Sequence, residues 1–476
     1  MSINRVLEIF EELCRIPHGS GNCHQIAQYC VQFAQKNGLR YHHDKADNVV
    51  IYKEGSQDCQ TAQPVILQGH LDMVCQKAAE KEIDFLKEGI TVRRDGDFLR
   101  AEGTTLGADN GIAVAMVLSV LERNDLSHPP IEAVFTTDEE VGMLGAFALD
   151  TSLLSAKRLI NLDSEQDDTV TVSCAGGSDV AAILPLTRTK KQGECITLTV
   201  GGLKGGHSGV EIDKQRVNAA KLLGRLLNDV AEKTTFDMVS VDSGDKANAI
   251  PCMATARLVT QNAAELQAVL EQGLSEVKEE ILCREPDFYY AVSLLGEGEY
   301  DVFSEKEKSD AVYILTCVPN GITEMSVEIE GLVQTSLNLG VLQTKDDAVR
   351  FQFALRSNKN SALRALGKTM LCFFSKTKAV ADVGGQYPPW EYRQNSELQK
   401  LYVESYESLF GALPKVEAIH AGLECAVFSS SIKGADCIAV GPTIYDAHTT
   451  AERLSVSSTE KVYAVVLRLL KQLAKE

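Results

Sequence analysis

The chain has 476 residues, of which 47 are basic and 66 acidic, giving a net charge of −19. So acidic a balance argues against nucleic acid or an anionic membrane as a partner. The length exceeds what one compact core usually accommodates, so two domains are expected, and no uninterrupted apolar segment is long enough to span a bilayer.

Residues 1–19, MSINRVLEIFEELCRIPHG, read as an acidic amphipathic helix without a signal-peptide core, so a cytoplasmic location is expected. The thirteen cysteines include no Cys-x-x-Cys pair and read as reduced thiols, several of them buried. A buried-strand pattern over 64–68 then runs into His70, with Asp72 two positions on. Residues two apart on an extended chain share a face. One nitrogen of His70 could therefore bind a metal while the Asp72 carboxylate accepts a hydrogen bond from the other. A strand-end histidine satisfied by hydrogen bonds is the alternative.

In GTTLGADNGIAVAMVLSVL, Asp109 and Asn110 sit in a glycine-rich turn ahead of a helix expected to begin near Gly111. Either residue could simply cap that helix, or Asp109 could bridge two metal ions. A phosphate-cradling loop would need Lys and then Ser or Thr after its last glycine, and neither is there. The strand pattern at 131–137 ends in Asp138, Glu139 and Glu140 before Gly142. Adjacent side chains on an extended segment diverge, so one glutamate can bind metal while the other faces the water; a solvated acidic turn is the alternative. A further strand closes on Asp163.

The polar, basic stretch 186–194 and the turn-rich stretch 384–392 bracket a long interval with its own elements. Helix patterns at 215–230 and 263–282 alternate with strand-like ITLTVGGL, TARLVT and AVRFQFALR, as an inserted α/β domain would. His207 lies in this interval in the glycine-flanked turn KGGHSG. HAGLEC, 420–425, places Gly422 in a turn whose free N–H groups could bind a carboxylate; His420 and Glu424 read equally well as packing residues. Cys437 to Val440 form a last apolar run, followed by a loop carrying His448. His42, His43 and His128 are expected on the surface, and no chemistry is assigned to them or to His18 and His24.

Open α/β sheets hold their ligands beyond the carboxyl ends of the strands, and five strand-end or loop sites here repeat that layout. His70, His448, Asp109, Asp163 and one of Glu139 and Glu140 offer only nitrogen and oxygen donors, which suits Zn²⁺, with Mn or Co also able to occupy such sites. With Asp109 shared, each ion would receive one His and one terminal carboxylate, leaving room for a water, as in a two-metal hydrolase.

The segments VILQGHLDMV, RAEGTTLGADNGIA, LINLDSE, CAGG, GLKGGHSGVEI, NAIP, VPNG, TSLNLGV, LRS, HAGLEC and GPTI run in this order across nearly the whole chain. They resemble the co-catalytic zinc peptidase family of aminoacylases, carnosinases and bacterial dipeptidases. The resemblance implies a two-domain α/β fold, with a zinc-peptidase-like catalytic α/β domain (1–186 and 391–476) and an inserted α/β lid and dimerisation domain (187–390). It implies that His70 and Asp163 hold one metal and Glu140 and His448 the other, that Asp109 bridges them, that Glu139 is the general base, and that Asp72 supports His70. His207 matches a histidine that in dimeric relatives reaches a neighbouring subunit's active site and stabilises the oxyanion, which implies a homodimer. Asn248 and Arg356 match substrate contacts, Arg356 being suited to a bidentate grip on a terminal carboxylate, and His420 and Gly422 join them as candidates. The substrates implied are short peptides with a free amino terminus, especially those ending in histidine. Deacylation of N-acyl amino acids, other exopeptidase action and a non-catalytic metal-binding scaffold are the alternatives.

Overall fold

A computed structural model of the protein describes residues 3–475. The chain divides into two compact units, one formed by Met1–Cys174, Trp390–Ala418 and Leu423–Glu476, the other by Ala175–Pro389 and Ile419–Gly422. The first crossover falls at 174/175, ahead of the expected 186/187. The reason is the strand Gly176–Pro185, which pairs with Ala348–Ser357 and Val380–Tyr387 and so belongs to the second unit's sheet.

The first unit is built on an eight-stranded sheet. Its centre is four parallel strands in the order Ile131–Thr136, Val65–His70, Arg158–Asn161 and Asp436–Ala439. The first two and the last are buried at every position, as expected of parallel strands covered on both faces. The helix Ala108–Leu121 packs on Val65–His70 and against Ile3–Cys14. From Ala108 onward only Asp109 of its residues is not buried, so it is a core helix without a polar face. Each Val, Leu or Ile it buries contributes roughly 1.5–3 kcal/mol of transfer free energy. In the parallel register His70 lies beside Thr136, and Gln68 beside Asn161. The carboxyl ends of these strands therefore finish level with one another, and the segments that follow them emerge along one edge of the sheet.

The second unit is a nine-stranded antiparallel sheet. Alternate residues of Gly176–Pro185, including Val180, Ala182 and Leu184, join one apolar core with the helices Ala219–Lys233, Ala263–Ile281, Glu305–Cys317 and Asn360–Phe374. From Asp179 onward the intervening residues are exposed, the pattern of a sheet covered on one face. The helix expected at 215–230 starts later, at Ala219. The Asn218 side chain accepts from the N–H groups of Ala220 and Lys221 and so fixes the start, while Ile212–Lys214 forms a 3-10 turn instead.

His128, expected on the surface, is buried, and its Nδ1 lies 2.7 Å from the Pro129 carbonyl oxygen. Burial lowers its pKa, so it stays neutral inside the fold. All thirteen cysteines are free thiols, eight of them buried. Among the described residues no helix is long and apolar enough to cross a membrane.

Candidate active site

Three carboxylates and two imidazoles meet at the carboxyl edge of the first unit's parallel strands. His70 closes its strand, and its ring is almost fully buried. Its Nδ1 is 3.0 Å from the Asp72 carbonyl oxygen and 3.4 Å from Asp72 Oδ1. A proton on Nδ1 directed to that carbonyl leaves the Nε2 lone pair facing Asp109 Oδ1 at 3.1 Å and Asp163 Oδ1 at 3.5 Å. On the other side, His448 Nε2 lies 3.1 Å from Asp109 Oδ2 and 2.9 Å from Glu140 Oε1. The Asp109 carboxylate thus presents one oxygen to each histidine.

The donor set fits a pair of divalent cations. Glu140 Oε1 is buried 2.9 Å from His448 Nε2, and once that imidazole has lost its proton both atoms direct lone pairs to a common region. His70, Asp109 and Glu140 place ligand atoms within 4.8 Å of one another. The electrostatics agree. Burial opposes charge on Asp109, but the His448 and His70 rings beside it, when protonated, outweigh it and hold its pKa below the ordinary carboxylate range. Burial pushes Asp163 up to about 6, and it raises Glu139 well above its usual value, with Asp163, Glu424 and Glu140 adding repulsion. The Asp109 and Glu140 carboxylates beside it raise His448 to about 11. Carboxylates crowded in this way are relieved by bound positive charge.

Asp72 does more than face His70. Its carboxylate accepts from Ser20 Oγ at 2.8 Å and from the main-chain N–H groups of Glu139 and Glu140 at 2.9 and 3.3 Å. It therefore pins the turn after Ile131–Thr136, where Asp138 has a positive φ of 53°, and so orients the two glutamates differently. Asn110, expected at most to cap the following helix, instead ties two strand ends together. Its Oδ1 accepts from His70 N at 3.1 Å and its Nδ2 donates to Leu162 O at 2.9 Å, which staples the strand end at 70 to the segment before Asp163. Glu424 was also undervalued. It is fully buried, accepts from Thr136 Oγ1 at 2.8 Å and from Gln68 Nε2, and burial lifts its pKa to about 7. Glu452 is likewise buried behind Asp109. Asn110 and Glu424 directly precede apolar runs, whereas Glu452, between Ala451 and Arg453 in a polar loop, carries no such local signal.

Within the second unit, His207, Arg356 and His420 come together. The two-residue strand Gly206–His207 pairs with Ala249–Ile250, and Ser208 N donates to Asn248 O at 2.9 Å, which brings exposed Asn248 beside His207. His207 Nδ1 accepts from the N–H groups of Gly209 and Val210 at 3.2 and 3.1 Å. Its proton therefore sits on Nε2. Burial, reinforced by Arg356, lowers its pKa and keeps it a neutral donor. A Cβ at Gly209 would lie 2.9 Å from His207 Cε1 and 3.0 Å from Arg356 Nε, so only glycine lets these groups approach. Arg356 Nη1 donates to Tyr387 Oη at 3.0 Å, while its Nε is buried without a partner. His420 has both ring nitrogens engaged, with Ser336 Oγ at 2.7 Å and Asn358 Oδ1 at 3.2 Å. Burial pushes its pKa down to about 3, and packing together with these two hydrogen bonds accounts for its side chain. Gly422 lies between His420 and the helix Glu424–Ser431.

The chain belongs to peptidase family M20/M25/M40, whose model matches residues 66–472; it is a peptidase. It is 34% identical over 470 residues to the cytosol non-specific dipeptidase of Escherichia coli (strain K12), covering 98% of this chain and 97% of that protein. Its structure is similar to that of aminoacylhistidine dipeptidase from Vibrio alginolyticus, with a TM-score of 0.90, 34% identity, and coverage of 98% and 96% of the two chains. The aminopeptidase PepT of Bacillus cereus shares the fold at a TM-score of 0.59 and 15% identity, covering 100% and 99%.

Proposed function

We propose that the protein is a two-metal dipeptidase that prefers Xaa-His dipeptides, β-alanyl-histidine included. The observation that carries this reading is Asp109, with one oxygen 3.1 Å from His70 and the other 3.1 Å from His448. On this reading His70 and Asp163 hold one cation, Glu140 and His448 the other, and Asp109 is shared. Zinc suits these donors, and manganese and cobalt also fit them. When bound, the cations polarise the scissile carbonyl and lower the pKa of water. Glu139 takes the proton of the attacking water and passes it to the leaving amine. His207 donates its Nε2 proton to the developing oxyanion, and Arg356, whose Nε is unpartnered, grips the peptide's terminal carboxylate, with Asn248 and the Gly422 turn as further substrate contacts. His420 supports this group by packing.

The names of the E. coli and Vibrio relatives support dipeptides as the substrate class, one as a non-specific and one as an aminoacylhistidine dipeptidase. The E. coli name also supports a cytoplasmic location. A homodimer joined through the inserted unit is proposed with the role of His207.

The test is a substrate panel: zinc-loaded protein with β-alanyl-histidine, α-linked Xaa-His dipeptides, dipeptides without histidine, and N-acetyl amino acids. Faster release from Xaa-His supports the proposal. Equal rates on all dipeptides would replace the preference by broad specificity, and cleavage confined to the N-acetyl compounds would make the protein a deacylase.

Arg356→Lys provides a second check. A lysine keeps the charge but loses the fork. Losing a charge-assisted hydrogen bond costs roughly 1.5–3 kcal/mol, so KM should rise about 10- to 100-fold with kcat little changed. Unchanged KM for dipeptides would remove Arg356 from substrate binding.

A further inference from the structure

The turn that leads into Asp109 is held from a distant part of the chain. Leu106, Gly107 and Ala108 offer successive main-chain N–H groups ahead of the regular helix, with Gly107 at a left-handed φ of 74°. All three donate to the buried carboxylate of Glu452: Leu106 N and Gly107 N to Oε2 at 2.7 and 3.2 Å, and Ala108 N to Oε1 at 2.8 Å. Glu452 ends the loop between the paired strands Ile444–Tyr445 and Arg453–Ser455, the same loop that carries His448.

His448 needs such an anchor. Its side chain is 47% exposed and its φ is 63°, so little packing orients it. The loop is braced by Thr449 N to Asp446 O at 3.2 Å, Glu452 N to Thr449 O at 3.2 Å, and an Arg453–Asp446 ion pair. Glu452 then fastens it to the turn before Asp109. We infer that Glu452 is a positioning residue for the metal centre, tying the His448 loop to the Asp109 turn so that these two ligands of the second cation arrive in register.

This rests on the two-metal reading above. Outer groups that orient metal ligands change affinity without touching the ion. Glu452→Gln keeps one acceptor oxygen but turns an N–H₂ toward a main-chain N–H, so it weakens the clasp without removing its bulk. Glu132 supplies a matched control. It too is a buried carboxylate accepting main-chain donors, from Ser155 and Ala156 at 3.0–3.1 Å, together with Ser155 Oγ at 2.6 Å, and none of its partners is a candidate ligand.

The experiment compares parent, E452Q and E132Q, first stripped of metal and then titrated with zinc against a chromophoric chelator, with melting temperatures of the stripped forms. Both variants should lower the melting temperature, but only E452Q should weaken zinc affinity, by about 10- to 100-fold. Equal zinc affinity in E452Q and E132Q overturns the inference, whatever the loss of stability. A parent that binds no zinc overturns it together with the two-metal reading, and that outcome is recognised in the parent alone. Should E452Q fail to fold, Glu452→Asp takes its place, with the same outcomes deciding.

Discussion

Glu139→Gln is expected to lower kcat on a cleaved dipeptide by roughly 10²–10⁴-fold, the usual worth of a general acid–base group, while zinc content stays that of the parent. The residue is placed for this by Asp72, which accepts the Glu139 N–H at 2.9 Å, and by the turn at Asp138. Glutamine keeps size and hydrogen bonding but cannot take up a proton. Elemental analysis beside steady-state kinetics separates the two effects. The pH profile supplies a second reading. Burial raises the pKa of Glu139, and bound cations draw it back down, so the carboxylate is protonated and inactive below that pKa. Activity should therefore rise with pH through one ionisation on the acid limb, and the variant should lose that limb. Full zinc content with near-parent turnover would take Glu139 out of the reaction.

Asp109→Asn should have a larger effect, beyond the ~10²–10⁴-fold of removing the base, because it disables the shared ligand. Asparagine offers one neutral oxygen where the carboxylate faces His70 and His448 with one each. Zinc should be lost on dialysis and turnover should fall to background. A ligand that binds only the folded state stabilises it by about 2.7 kcal/mol at a hundredfold excess over its Kd, so zinc should raise the melting temperature of the parent but not of D109N. Affinity in the parent should also climb with pH. His448, held up at about 11 by Asp109 and Glu140, must lose its proton to accept a cation, so protons compete with metal as the pH falls. Undiminished zinc binding by D109N would sink the bridging role.

Much of the candidate site was readable along the chain because each ligand-bearing segment is a local pattern. A run such as VILQ with its side chains all buried, closed by His70, or RLIN followed shortly by Asp163, announces a strand that ends in chemistry. The core helix after Asp109 was equally plain, since thirteen of its fourteen residues are buried. The extent of the inserted unit was less so. Gly176–Pro185 reads as a continuation of what precedes it, and only its pairing with Ala348–Ser357 assigns it to the second sheet. His128 misled for a related reason: two prolines mark a loop, but a loop histidine is buried or exposed according to what packs over it.

By itself, then, the order of residues determined which segments are strands and helices and which polar side chains close them, since period and turn chemistry act over a few neighbours. Tertiary structure alone decided that Asp109 faces both histidines, that His207 carries its proton on Nε2, and that Glu452 clasps N–H groups 344 to 346 residues away. A carboxylate is soluble by composition; whether it becomes a buried clasp depends on donors that folding brings from elsewhere, and burying it is tolerable only once those donors are in place.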